Sequence, residues 1–321
     1  MAKIKRMLVL AVLTSVMVQP GCITVNLIEP PGPVKEVQLA GSGDSKVLLL
    51  DLSGVISSQE KDGWLSEPNL LATFKEELTK AQKDDKVKAV VLRINSPGGT
   101  VNASDILYHE LKTFKANKKV PVIASMMDVA ASGGYYLAMA TDAILVHPST
   151  VTGSIGVIML TVNAKGLLEK VGVEANAITS GPRKDMGSPF RTMTTEEKAI
   201  FQGVIDSFYQ RFLMVVQEGR PQLSADQIKM LADGRIYSGE QAKAAGLVDD
   251  IGYLDEAIDL AKKNAGLTEA RVVTYRRRGE YQNNIYSRVL NGGPGLASLA
   301  NMDLLSIVRG GSPQFMYLWM P

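Results

Sequence analysis

Three stretches of this chain carry residue types that could do covalent chemistry. The first, Ala130, Ala131, Ser132, Gly133, Gly134, Tyr135 and Tyr136, sets a hydroxyl among small residues where a loop hands over to an apolar helix. Small neighbours let a substrate carbonyl come close. The free N–H groups and dipole of a helix N-terminus favour negative charge, so the Gly133 amide could stabilise an oxyanion raised by attack from Ser132. Taken alone, the stretch also reads as a Ser or Gly cap on a buried helix. The second, Asn95, Ser96, Pro97, Gly98 and Gly99, follows a strand-like run and precedes a helical one, which puts a glycine pair where backbone amides can face a ligand. Taken alone it is a turn. It lacks the Lys-Ser/Thr pair of a phosphate-binding loop. The third, residues 178–191, is a Gly- and Pro-marked loop holding Lys184. A lysine accepts a proton only when neutral, which requires desolvation or nearby positive charge; Arg183 supplies such charge and Asp185 would oppose it. Taken alone, Lys184 reads as a solvated lysine.

A nucleophilic serine usually relies on histidine. The chain has two, His109 and His147, and neither is well placed: His147 ends the strand predicted after Ser132, and a hydrolase elbow would need glycine where Ala130 stands. A single cysteine, Cys22, excludes an intrachain disulfide and a cysteine-based zinc site, and two histidines argue against metal catalysis. No metal or cofactor is expected. Thirty-five Lys and Arg against 33 Asp and Glu leave a formal charge of +2, which gives no footprint for nucleic acid. With 45% hydrophobic and 21% charged residues, the body matches ordinary globular usage rather than a disordered or polytopic membrane chain.

The elements that must position these residues alternate in type. Strands are predicted over 46–51, 87–94, 120–125, 143–147 and 173–179. Between the first two, Leu70, Leu71, Phe74, Leu78 and Ala81 mark one helical face. Helices are predicted over 103–114, 132–140, 195–218, 225–231, 239–245 and 254–262. The alternation implies an α/β fold with a parallel sheet covered by helices.

Residues 1–22 read as an export signal: Lys3, Lys5 and Arg6 precede an apolar run over 7–18, too short to span a bilayer as an ordinary helix. Gly21 before Cys22 resembles the cleavage site of bacterial lipoproteins, so acylation at Cys22 is expected ahead of a retained signal-anchor or a secreted form. Residues 23–45 are a Pro/Gly-rich tether, 46–275 the catalytic unit and 276–321 a tail. The apolar stretch from Met316 to Met320 is expected to dock, on its own or a neighbouring subunit, near the peptide groove.

Together these stretches resemble the signal peptide peptidase A family, membrane-associated serine peptidases with a Clp-protease/crotonase-like fold, a spiral of βα(β) units. The resemblance runs from about Lys46 to Tyr275. It includes the Asn-Ser-Pro-Gly-Gly turn, the Ala-Ala-Ser-Gly-Gly-Tyr-Tyr stretch, Thr152-Gly153-Ser154-Ile155-Gly156-Val157, Lys184-Asp185 leading to Ser188-Pro189, Asp233-Gly234-Arg235-Ile236-Tyr237-Ser238-Gly239 and Gly246-Leu247-Val248-Asp249. It implies Ser132 as nucleophile, Lys184 as general base, Ser154 as the residue that holds the lysine amine, and the Gly99 and Gly133 amides as oxyanion hole. It further implies a homo-oligomeric ring in the bacterial cell envelope, membrane-anchored with the catalytic domain outside the cytoplasm. The substrates would be signal-peptide remnants and other short apolar peptides. Two other readings share some of the features: a crotonase-like acyl-CoA enzyme, against which the export signal counts, and a non-catalytic membrane-associated scaffold, against which the intact Ser132 and Lys184 count.

Overall fold

The β-branched and leucine-rich runs form the middle of a twisted sheet because they are apolar on both faces. In β2 (Lys46–Ser53), Leu48, Leu50 and Leu52 point into one hydrophobic core and Val47 and Leu49 into another. The computed structural model describes residues 32–59, 69–277, 284–286 and 314–320. Around β2 lie β1 (Lys35–Ala40), β3 (Val87–Ser96), β5 (Val122–Ala131), β6 (Ala143–Val146), β10 (Asp250–Ile251) and β11 (Arg271–Arg276), in the order β1–β11–β2–β3–β5–β6–β10. All neighbours in this row pair in parallel except β1 with β11. The expected mainly parallel sheet of the Clp-protease type is therefore present.

Helices α1 (Leu70–Lys83), α2 (Val101–Lys118) and α3 (Gly133–Ala138) cover one face, and α8 (Leu254–Asn264) covers the other through Leu254, Ala257, Ile258 and Ala261. The side chains of Asn69 and Thr100 cap the first turns of α1 and α2. The remaining helices are α4 (Lys165–Lys170), α5 (Thr195–Gly219), α6 (Ala225–Leu231) and α7 (Gly239–Ala244).

One change of partner along β5 creates the site. Its first half, through Met126, pairs with β6, whereas Val129–Ala131 pairs with β7 (Val151–Gly153), which in turn pairs antiparallel with β9 (Ile236–Ser238). The ends of β3, β5 and β7 thereby converge. Two short strands, β4 (Gly98–Thr100) and β8 (Ile158–Leu160), form a second, three-stranded sheet with β12 (Gln314–Leu318) between them.

Two expectations give way. Residues 173–179 form no strand; Val173 and Ile178 are exposed and, among the described residues, no strand pairs with the segment, which follows Gly172 at positive φ and leads to Pro182. Part of the expected tether is β1, whose alternating pattern lets it close the sheet against β11. The expected signal over 1–22 and Cys22 lie outside the described residues. Among the described residues, no helix is long and apolar enough to cross a membrane.

Candidate active site

Ser132 is the single residue between β5 and α3, and it carries the turn at φ 52°, ψ −112°. A non-glycine residue at positive φ is held there by its surroundings. Its N–H donates to the Gly153 carbonyl (2.7 Å), and its own carbonyl accepts from the Tyr136 N–H (2.8 Å). The side chain is buried, and its Oγ has no hydrogen-bond partner. Leaving a buried hydroxyl without a partner costs about 1–3 kcal/mol, so this position is not explained by packing alone.

Gly98, Gly99 and Gly133 meet beside it. Gly98 has φ 99°; a Cβ there would overlap the Tyr317 carbonyl oxygen and lie 2.7 Å from the Gly133 amide nitrogen. A Cβ on Gly133 would strike Ser104 Oγ and lie 3.2 Å from the Gly99 amide nitrogen. The glycines are thus required by close backbone approach. The Gly133 amide, next to Ser132 at the first position of a helix, and the Gly99 amide near it are the kind of donors that can stabilise an oxyanion. Ile56 braces the turn: its N–H donates to the Gly98 carbonyl (2.8 Å) and its carbonyl accepts from the Thr100 N–H (2.9 Å).

β12 adds antiparallel to this turn, with Leu318 opposite Gly98 and Tyr317 opposite Gly99, and its other edge pairs with β8. The Trp319 N–H donates to the Pro97 carbonyl (2.9 Å). The Tyr317 ring is fully buried, 5.1 Å from the Tyr136 ring and 4.7 Å from that of Phe212, and its Oη donates to the Phe208 carbonyl (2.8 Å). The apolar stretch thus docks as β12 against β4, β8 and this aromatic cluster.

Ser154 follows β7. Because Ala131 pairs with Gly153 in parallel register, Ser154 sits beside Ser132, also at positive φ (49°), with its N–H bonded to the Arg235 carbonyl (2.8 Å). Lys184 is exposed in the loop between α4 and α5; its N–H donates to the Gly181 carbonyl (3.2 Å), and its Nζ makes no hydrogen bond or ion pair among the described residues. The structure thus brings Ser132, Ser154, Gly99 and Gly133 together and does not join Lys184 to them. His109 is exposed on α2. His147 lies against the Tyr253 ring (5.0 Å), its Nε2 is buried without a partner, and burial holds its pKa below the usual imidazole range.

Sequence reasoning passed over Arg191. Its guanidinium takes both carboxylate oxygens of Asp185 (2.7 Å each) and also bonds Glu197, at 2.9 Å through Nη1. Glu197 in turn accepts the Thr194 N–H (2.8 Å) in the capping box of α5. Arg191 and the Thr194 amide push the Glu197 carboxyl down to about 2, and Arg191 holds Asp185 below the usual carboxylate range. An acid-rich helix start facing a loop arginine was the available signal. Ile56 and Ser104 had none.

The parallel sheet, the converging strand ends and the serine at a helix mouth define the Clp protease class, and the Clp protease family model matches residues 67–153. The model of peptidase family S49 matches residues 114–268, a range that contains Ser132, Ser154 and Lys184. An Enterococcus faecium protein provisionally named signal peptide peptidase SppA is 40% identical over 237 residues, covering 74% of this chain and 68% of that protein. A Synechocystis protein provisionally named a protease is 39% identical over 227 residues, covering 71% of this chain and 77% of its own length. Protease 4 of Salmonella typhi is 37% identical over 204 residues, covering 64% of this chain and 32% of that protein. The chain belongs to peptidase family S49 and is a serine peptidase. That membership sets it apart from acyl-CoA enzymes and from non-catalytic scaffolds.

Proposed function

We propose that the chain is a membrane-associated endopeptidase working through a Ser–Lys dyad. Ser132 Oγ attacks the peptide carbonyl while Lys184 Nζ takes its proton, and Ser154 holds the lysine amine. The Gly99 and Gly133 amides receive the negative charge that develops on the carbonyl oxygen. Collapse of the adduct breaks the C–N bond, and the lysine returns its proton to the departing amine. Water then repeats the sequence on the acyl-serine. The observation that carries this reading is the buried Ser132 Oγ without a hydrogen-bond partner, beside the converging glycine amides. It requires the loop holding Lys184 to close over the mouth, bringing Nζ to about 3 Å from Oγ.

Short apolar peptides, above all signal-peptide remnants, are the proposed substrates. The edges of β4 and β8 suit strand addition by an extended peptide, and the aromatic pocket of Tyr136 and Phe212 suits an apolar side chain. The name of the Enterococcus faecium protein points the same way. In this reading Cys22 is acylated, the catalytic domain lies in the bacterial cell envelope outside the cytoplasm, and the chains assemble as a ring.

A serine-directed acylating probe followed by peptide mass mapping tests the core of it. The adduct is expected on Ser132 and absent from Ser132→Ala; a protein that stays unlabelled while cleaving peptide overturns it. Intact mass of the membrane-extracted protein tests the anchor. Acyl groups on a chain beginning at Cys22 support it, and a mass counted from Met1 rejects it.

A further inference from the structure

Within residues 183–197 the charges are paired in a pattern that leaves one cation out. Arg183 bonds Glu196 in the first turn of α5. Arg191 spans Asp185 of the loop and Glu197 of the same turn, and it also reaches the Asp185 main-chain carbonyl (3.3 Å). On α4, across the loop, Lys165 and Glu169 pair with each other (3.5 Å). From 183 to 197 the charged residues are Arg183, Lys184, Asp185, Arg191, Glu196 and Glu197. Among the described residues, Lys184 alone of these has no ionic partner.

Chemistry gives that arrangement a meaning. Asp185 is covalently next to Lys184, and a carboxylate within about 4–6 Å of an amine favours its protonated form. A lysine so paired makes a poor base near neutral pH. Arg191 occupies both carboxylate oxygens in fork geometry, which a single-point cation would not match. It also ties the loop to the start of a 25-residue helix through Glu197, whose side chain is only 4% exposed.

We propose that Arg191 is a positioning residue that withholds the Asp185 carboxylate from Lys184, keeping the base free of a counter-ion and docking its loop on α5. The proposal rests on Lys184 being the general base. Among the described residues, Arg191 bonds Asp185, Glu197 and the Thr192 carbonyl and not Ser132, so its effect runs through Asp185.

The test is the pH profile of kcat/KM on a short apolar peptide, with the purified, assembled protein. In Arg191→Ala the profile midpoint should move up by about one unit, so that rates well below the midpoint fall roughly tenfold while the alkaline plateau is largely kept. Adding Asp185→Asn should return the midpoint, although it restores no contact to Glu197. Asp185→Asn alone should leave the midpoint close to that of the wild type, because that carboxylate is already engaged. A loss in Arg191→Ala that is equal at all pH values, or that Asp185→Asn fails to rescue, overturns the proposal and makes Arg191 a structural residue only. So does a marked downward shift in Asp185→Asn alone. Near-normal turnover in Lys184→Ala overturns instead the dyad on which it rests. An inactive Lys184→Ala with an unshifted Arg191→Ala profile rejects only the role of Arg191.

Discussion

Ser132 and Ser154 leave neighbouring parallel strands at the same level of the sheet, each with a positive φ, and the main chain ties them together where the Ser132 N–H meets the Gly153 carbonyl at 2.7 Å. A hydroxyl placed this way can fix an incoming amine without taking part in bond making. Ser154→Ala should therefore lower kcat by about 10- to 100-fold with KM little changed, on the scale seen for supporting hydrogen-bond partners. Steady-state kinetics on a short peptide decide it; a rise in KM alone would place Ser154 in substrate binding.

If Ser132 and Lys184 act as the proposed dyad, removing either should cost on the order of 10³-fold or more in rate, and the double variant little more, because the two would act as a unit. Lys184→Arg should be as damaging as Lys184→Ala, since a guanidinium stays protonated. His109→Ala and His147→Ala should keep most activity. If His147→Ala were inactive and Lys184→Ala normal, a histidine base would have to replace the lysine.

Gly133→Ala places a methyl against Ser104 Oγ and the Gly99 amide. Overpacking of that kind costs about 1–3 kcal/mol. Displacing an oxyanion donor costs about 10²- to 10³-fold in kcat. Thermal melting and turnover measured together separate the two effects. A variant that melts lower but turns over normally removes Gly133 from the oxyanion hole.

The Glu197 carboxyl is depressed to about 2 by Arg191 and the Thr194 amide. A depressed carboxyl contributes stability above its unfolded value, about 4.3, and loses it as pH falls toward the folded value. Glu197→Gln should accordingly melt lower than the wild type at pH 7, and the gap should close between about pH 4 and pH 2. A gap that stays constant across that range would mean that packing, not charge, makes Glu197 matter.

Tyr317→Ala empties the space against Tyr136 and Phe212 and removes the bond to the Phe208 carbonyl. The loss falls on the docking of β12 rather than on the main sheet. Cleavage of residues 314–318 by an added protease should speed up, and KM for an external apolar peptide should fall. A higher KM would identify β12 as part of the wall that binds substrate.

Much of the fold was legible because burial on two faces leaves a simple mark. The runs ending in Asp51 and Ile94 have no polar alternation, and a central parallel strand needs none. A helical face was legible where apolar spacing repeats, as at Leu70, Leu71, Phe74, Leu78 and Ala81. The segment over 173–179 shared the composition of a strand and lacked a partner, which composition cannot report. β1 was hidden in Pro- and Gly-rich surroundings because its pairing with β11 joins residues more than two hundred apart. At the site, Ser132 and the glycines were visible as small residues at a helix start. Ser154 came only from resemblance, since its place depends on the register of β5 with β7. Arg191 was missed because an ion pair across a loop has no periodicity.

β12 lies where a peptide pairing with β4 and β8 would have to lie. Held by its own chain, it would compete intramolecularly, independently of how much protein is in solution. Dilution cannot relieve such competition, whereas crowding peptide at a surface can overcome it. A strand exchanged between subunits would behave the opposite way, with specific activity rising on dilution, so a simple concentration series reports whether the occupant belongs to its own groove or to a neighbour's.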